Sequence, residues 1–218
     1  MLKNDETLAA EGNYITTHRV EALHDGVFAI VMTLLVFGIH IPEAFNAHSL
    51  QAKMIELLPT FVTYILTFVT LGIYWVGLHN EFHYIKRSDR MLLWISLFFL
   101  MFVSILPFTT GLLGRYPNLQ LPYILYGTNL IIIGIINYAL WTYATRHHRL
   151  TEHTVSVGLI RWIKRRIVVA PVICVIAIGA SFYNLHLSLA CYLLVPPYYL
   201  LPKKADPFRH HPAIPHED

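Results

Sequence analysis

The sequence predicts an all-α membrane protein with six transmembrane helices. Hydrophobic residues make up 56% of the 218 residues and charged residues only 13%, and the mean hydropathy is +0.52. These values lie well outside the usual range of soluble domains. A helix needs about 20 apolar residues to cross the hydrocarbon core, and the chain contains several intervals of that length. We therefore expect one membrane domain over residues 1–202 and a short cytoplasmic tail over residues 203–218.

Spans 2 to 6 follow from intervals that contain no charged residue, and span 1 follows from the opening apolar stretch. Span 1 comes from the stretch His18 to Pro42, in which a charged cluster precedes a long apolar run. Spans 2, 3 and 4 are the intervals Leu57–Asn80, Met91–Gly114 and Tyr116–Thr145. The last interval, Ile167–Pro202, fits two short helices, spans 5 and 6, which a turn at Ser181–His186 would divide. Polar Asn184 is expected at the tip of that turn.

The distribution of Lys and Arg predicts that both termini lie in the cytoplasm. Positive residues stay on the cytoplasmic side during insertion. With six alternating spans, the N-terminal segment, the loops after spans 2 and 4, and the C-terminus hold all but two of the 16 Lys and Arg residues. Only Lys53 and Arg115 fall on the other side. Because the basic residues act as juxtamembrane anchors, the net charge of +3 does not indicate nucleic-acid binding.

The sequence carries no pattern typical of an enzyme or a metalloprotein. A Ser/His/Asp arrangement, a Walker loop and a zinc-protease motif are all missing, so we expect no enzymatic activity. The segments Arg146–His148 and Arg209–Pro212 contain His but lack paired Cys or carboxylate ligands at helical spacing. Cys174 and Cys191 fall inside predicted spans, where a packing role is favoured over a disulfide. We therefore expect neither a cofactor nor a structural metal.

Span 1 has two chemically different faces. At 100° per residue, one line of bulky apolar side chains runs along the helix. It contains Leu23, Ile30, Leu34, Phe37 and Ile41. Thr33 lies on the shoulder of this line. Glu21, His24 and Asp25 lie on the opposite half, and ionisable groups within a membrane span must meet protein rather than lipid.

Span 2 offers partners for the Asp25 carboxylate. Trp75 and His79 are four residues apart and share one helical face, and their N–H groups are suitable donors. Asp25 and His79 also match in depth, since both lie near the cytoplasmic ends of their spans. Two interpretations remain open: the contact joins the two helices, or it forms a proton relay or ion-coordinating site. The second would suit a proton-coupled secondary transporter using Asp25 and His79, although the inverted repeat expected of that class is not evident.

Two stretches resemble the transmembrane protein 175 family of endosomal and lysosomal potassium channels. Arg19–Val36, RVEALHDGVFAIVMTLLV, is similar to the family's helix 1 motif, which has Arg, three variable residues and then Phe-Ser-Asp. The motif positions here are Arg19, Leu23, His24 and Asp25, of which Leu23 and His24 replace the family's Phe and Ser. Tyr74–Gly114 resembles helices 2 and 3 of the bacterial members. The chain is therefore identified as a bacterial member, which implies a multi-pass protein of the plasma membrane.

The resemblance implies a potassium-selective channel without a P-loop, and the chain indeed contains no TVGYG filter sequence. A single six-helix unit implies a homotetramer in which helix 1 lines the pore. The family's apolar constriction lies five residues after the motif Asp, here at Ile30, with Thr33, Leu34 and Phe37 further outward. An apolar ring of this kind either closes by dewetting or makes a permeating potassium ion shed water.

Overall fold

The computed structural model describes residues 17–40, 46–151 and 155–200, and these ranges are built from helices. In chain order the α-helices are α1 Thr17–Leu34, α2 Ala47–Glu56, α3 Leu58–Tyr84, α4 Arg90–Arg115, α5 Gln120–Thr145, α6 Val157–Ser181, α7 Leu185–Leu193 and α8 Val195–Leu200. The 3-10 helix Leu35–Gly38 continues α1, and the 3-10 helix Arg146–His148 follows α5. The all-α prediction is confirmed. The predicted tail over residues 203–218 lies outside the described ranges.

Four helices are long and apolar enough to cross a membrane, and they coincide with predicted spans 1 to 4. They are α1 with its 3-10 extension, α3, α4 and α5. Local signals set their boundaries. Pro59 lies in the first turn of α3, where its missing N–H would have no partner in any case. Asp89 caps α4 by accepting a hydrogen bond from the Leu92 N–H at 2.9 Å.

The last charge-free interval differs from the prediction. The turn at Ser181–His186 is confirmed, because α6 ends at Ser181 and the Asn184 side chain caps α7. However, α6 begins at Val157, ten residues before the predicted interval, and its first turns carry four basic residues. The chain beyond the turn is broken into the short helices α7 and α8, with Pro196 and Pro197 in the first turn of α8. Helix length and composition therefore support four membrane spans. Helix α6 and the α7–α8 segment do not meet the same criteria of length and composition.

The core is arranged around α5, which packs against both α4 and α6. Gly134 of α5 lies directly against the ring of Pro171 in α6, so that any side chain at position 134 would overlap the proline. Buried hydroxyls join α3, α4 and α5: Thr67 donates to the Tyr126 hydroxyl at 3.1 Å, and Thr110 donates to Thr67 at 3.0 Å. Close backbone contacts and interhelical hydrogen bonds are what hold helices together in lipid, where apolar burial between helices gains little.

Candidate functional site

Helix α1 buries one stripe of side chains and leaves the predicted apolar line on its outer side. The buried stripe consists of Val20, His24, Phe28, Val31 and Leu35. This spacing is that of a single helical face, and the face packs against α3 and α4. On the outer side, Ile30 is 60% exposed, Leu34 is 44% exposed and Phe37 is 73% exposed. Three large apolar side chains therefore project away from the core of their own subunit.

Phe37 does not lie on the α-helix itself, which corrects the assumption of a continuous α-helix through this position. Helix α1 ends at Leu34, and Phe37 belongs to the following 3-10 segment, Leu35–Gly38. A 3-10 helix has three residues per turn, so residues three apart lie on the same side. Phe37 consequently stays in line with Leu34. Ile41, the last member of the predicted line, lies outside the described residues.

Thr33 is exposed beside this line, and its hydroxyl is used locally. The hydroxyl donates to the Ile30 carbonyl oxygen at 2.7 Å. Because the proton is committed to the backbone, the Thr33 oxygen keeps its capacity to accept. An acceptor oxygen therefore lies beside the exposed apolar line of Ile30 and Leu34.

The four motif residues of α1 have different surroundings. Arg19 is exposed in the first turn of the helix, and Leu23 is exposed on the same side as Ile30. His24 is buried, with its ring 5.1 Å from that of Phe82 and 6.1 Å from that of Phe99. Its Nδ1–H donates to the Val20 carbonyl at 2.8 Å, and its Nε2 has no hydrogen-bond partner among the described residues. His24 is therefore a packed core residue of the subunit.

Asp25 and Trp75 form a direct link between α1 and α3. The Trp75 indole N–H donates to Asp25 Oδ1 at 2.8 Å, and both side chains are exposed in the subunit. His79 joins them in a different way from the predicted one. Its ring stacks on the Trp75 indole, with 6.0 Å between ring centres and 26° between planes, and within the described chain it donates no hydrogen bond to Asp25. One helical turn separates His79 from Trp75, so it reaches the indole face rather than the carboxylate.

Two acidic residues near the ends of spans were missed by sequence reasoning. Glu81 lies one residue beyond the predicted span 2, yet it is buried within α3. Asp89 accepts a 2.6 Å hydrogen bond from the Tyr143 hydroxyl and lies 3.3 Å from the Arg149 guanidinium. It therefore ties the chain before α4 to the end of α5. An acidic residue immediately before a long apolar run is a helix-capping signal, which was available in the sequence for Asp89.

Comparison with known proteins agrees with this geometry. A family model described as the endosomal/lysosomal potassium channel TMEM175 matches residues 19–107. A potassium channel of Streptomyces collinus is 31% identical over 185 residues, which is 83% of this chain and 90% of the relative. The TMEM175 proton channel of Gallus gallus is 25% identical, and the match covers 83% of this chain but only 36% of that longer protein.

A solved structure supports the same relationship. The crystal structure of a lysosomal potassium-selective channel TMEM175 homologue from Chamaesiphon minutus superposes with a TM-score of 0.75 at 26% identity. The match covers 84% of this chain and 95% of that one. Sequence and fold thus agree over nearly the whole length of bacterial relatives that are themselves named channels. The chain belongs to the endosomal/lysosomal potassium channel TMEM175 family, and it is an ion channel of the membrane.

Proposed function

We propose that the protein is a potassium-selective channel of the bacterial plasma membrane, in which four subunits place α1 around a central pore. The observation that carries this proposal is the outward-facing apolar line of α1. Ile30 and Phe37 are among the more exposed large side chains, although α1 packs against two helices of its own subunit. An apolar line that projects from the subunit can be covered by lipid or by symmetric copies of itself. The name of the Streptomyces relative, a potassium channel, favours the second.

Four copies suit the side chains of the line. Two α1 helices would pack too closely to leave a conduit, whereas many copies would leave a tube too wide for the Ile30 side chains to approach one another. Closed cyclic symmetry is the usual arrangement of homo-oligomers, and it presents the same face of every subunit to one axis. The constriction then consists of a ring of Ile30, with Leu34 and Phe37 continuing it outward.

Selectivity in such a pore follows from hydration. The ring of Ile30 supplies no oxygen ligand, so an ion must give up part of its water shell to pass. Potassium binds its water less tightly than sodium does, so partial dehydration on entry costs potassium less free energy. The Thr33 oxygen, which can still accept, replaces part of the missing hydration. No filter of backbone carbonyls is required, in keeping with a sequence that contains no TVGYG segment.

The remaining two membrane crossings are assigned to α6 and to the α7–α8 unit. The apolar part of α6 begins after its cluster of basic residues, and long basic side chains can extend toward the interface while their stems lie along apolar surface. Lys164 lies 5.8 Å from the centre of the Tyr138 ring, and Arg166 lies 5.4 Å from that of Trp162. With six crossings, both termini are cytoplasmic, and residues 203–218 form the cytoplasmic tail of a single membrane domain.

Ion flux through the purified protein tests the proposal. Reconstituted wild-type protein should pass single-channel currents that reverse near the potassium equilibrium potential, and Ile30→Asn should raise conductance or weaken the preference for potassium over sodium. Ile65→Asn is the matched control, because Ile65 is also an isoleucine at an exposed position, 58%, but on α3. If Ile30→Asn and Ile65→Asn both leave conductance and reversal potential unchanged, the pore assignment is wrong.

The assembly requires a separate measurement. Native mass spectrometry in mild detergent should give the mass of four chains of 25.1 kDa. A protein that conducts ions as a monomer would contradict the shared pore, because its ion path would then run inside one helical bundle. Coupled proton movement without channel-like currents would instead support a transporter that uses Asp25 and His79.

A further inference from the structure

Glu81 is a buried acidic side chain in the membrane domain, and it belongs to none of the features assigned to the pore. It is 3% exposed on α3. Its partner is Asn137 of α5, which is 4% exposed and donates from Nδ2 to Glu81 Oε1 at 3.2 Å. A carboxylate without a cationic partner is costly at such a position. No ion pair within 4 Å joins Glu81 to a basic side chain in the described part of the molecule.

Each member of this pair has one buried oxygen that remains unused. Glu81 Oε2 and Asn137 Oδ1 both lack a hydrogen-bond partner among the described residues. Both atoms are acceptors, so they cannot satisfy each other while the carboxyl is ionised. A neutral carboxylic acid and a carboxamide, however, can pair through two hydrogen bonds, one in each direction. A single proton on Glu81 Oε2 would donate to Asn137 Oδ1 and give both unused atoms a partner.

A small cavity adjoins the pair and gives a proton access to it. Its volume is about 50 Å³, and it lies between α3, α5, α6 and α8. A cavity needs about 10 to 15 Å³ to hold one water molecule, so this one has room for water. The titratable or charged groups that line it are Tyr74 from α3, Arg166 from α6 and Tyr199 from α8, while Asn137 is the polar contribution of α5. Water in the cavity can carry the proton to and from Oε2.

Arg166 is a basic residue that lines the cavity, but its guanidinium packs on aromatic rings. Its guanidinium lies 5.4 Å from the ring centres of both Trp162 and Tyr199. The Tyr199 hydroxyl donates to the Arg166 carbonyl oxygen at 2.6 Å, which fixes α8 against α6 at this point. Movement of the guanidinium toward an ionised Glu81 would withdraw it from these rings. Arg166 therefore contacts α8 through both its side chain and its backbone.

We propose that Glu81 and Asn137 form a proton-binding site inside each subunit, separate from the central pore. In the occupied state the proton resides on Glu81 Oε2 and is shared toward Asn137 Oδ1, and the pair is neutral. In the empty state the proton has passed to cavity water, the carboxylate carries the negative charge, and Arg166 across the cavity is its counter-ion. The site is complete within one chain, so it does not depend on the tetramer or on the pore residues.

Infrared difference spectroscopy of the full-length protein in lipid vesicles tests this site directly. A protonated carboxylic acid has a carbonyl stretch that a carboxylate lacks. We expect the wild-type spectrum to contain such a band, which disappears as pH is raised and is missing from Glu81→Gln. Asn137→Ala should shift the band, because the acid then loses its carboxamide partner. Glu56→Gln removes an exposed carboxyl from α2 and should leave the band unchanged.

Thermal stability across pH is the second measurement. Gln at position 81 can form the same two-way pairing with Asn137 without a proton. The melting temperature of wild type should therefore fall as pH rises and the proton leaves. That of Glu81→Gln should not change over the same pH range. A wild-type spectrum without the acid band, or a band that neither Glu81→Gln nor Asn137→Ala alters, would overturn the proposal. Neither measurement involves ion flux, so this proposal and the pore proposal can fail independently of each other.

Discussion

Trp75→Phe isolates the hydrogen bond between α1 and α3. A phenyl ring keeps an aromatic surface for His79, but it lacks the indole N–H that donates to Asp25 Oδ1 at 2.8 Å. The Asp25 carboxylate then loses its described donor, while the apolar stripe that docks α1 is untouched. We expect the fold to persist with a lower free energy of unfolding.

The magnitude follows from the exposure of the two partners. Hydrogen bonds to charged groups contribute about 1.5 to 3 kcal/mol when solvent competes little. Trp75 is 41% exposed in the subunit and Asp25 is exposed as well, so we expect about 1 kcal/mol, nearer the value of a neutral bond. Asp25→Ala breaks the same bond. The double variant should therefore be less destabilised than the sum of the single variants, by about 1 kcal/mol of coupling energy.

Denaturation in detergent, followed by circular dichroism, measures these free energies without relying on tryptophan emission. Trp94→Phe is the matched control: Trp94 is 51% exposed on α4 and donates no described hydrogen bond. Its stability should equal that of wild type within a few tenths of a kcal/mol, in line with the small effects of most surface substitutions. A coupling energy near zero between positions 25 and 75 would refute the reasoning. Intact stability with lost proton-coupled transport would favour the transporter interpretation.

Two further substitutions probe the packing of α5 against α6 and the contacts of Asp89. Gly134→Ala places a methyl group against the Pro171 ring and should lower the free energy of unfolding by about 1 to 3 kcal/mol, as overpacking does. Gly179→Ala is the control, because beyond its chain neighbours and its own helix backbone the new methyl group meets no atom within 4 Å, so it should not destabilise the protein in the same denaturation assay. Asp89→Ala removes the cap of α4, which alone contributes about 1 kcal/mol, and also removes the contacts with Tyr143 and Arg149. It should also speed hydrogen exchange in the first turn of α4, where Leu92 lies, more than Tyr143→Phe does, and equal exchange rates in the two variants would argue against the capping role.

Span 1 could be predicted from sequence because a long apolar run follows its charged cluster. Spans 2, 3 and 4 could be predicted because each is a long interval without charge. The same rule failed at α6, where it treated Arg166 as a boundary. A basic side chain does not end a helix when its stem packs along neighbouring rings, and the aromatic partners of Arg166 come from Trp162 on the same helix and Tyr199 on α8. The second contact depends on the tertiary fold, so inspection of charge alone could not reveal that α6 continues to Val157.

The site shows the same division between local and long-range information. Helical periodicity separated Ile30 and Leu34 from the buried side of α1, because the facing direction of a residue is a local property. Partner choice is not local. The spacing of Trp75 and His79 allowed either residue to bind Asp25, and only the packing of α3 on α1 selects the indole. Glu81 was missed for a related reason, since its burial depends on Asn137 of α5, a residue 56 positions away.

The burial of the four long helices bears on where an ion path can run. In the most apolar part of α5, 50% of the residues are buried within the subunit, whereas in α1 with its 3-10 extension only 28% are, the lowest share of the four. The centre of the subunit is filled by side chains of α5 and its neighbours, including Tyr126 and Trp141, which are fully buried. A conduit through that centre would have to displace packed aromatic rings. The least covered helix is also the one that carries Ile30, so the proposed pore between subunits would form without displacing the core.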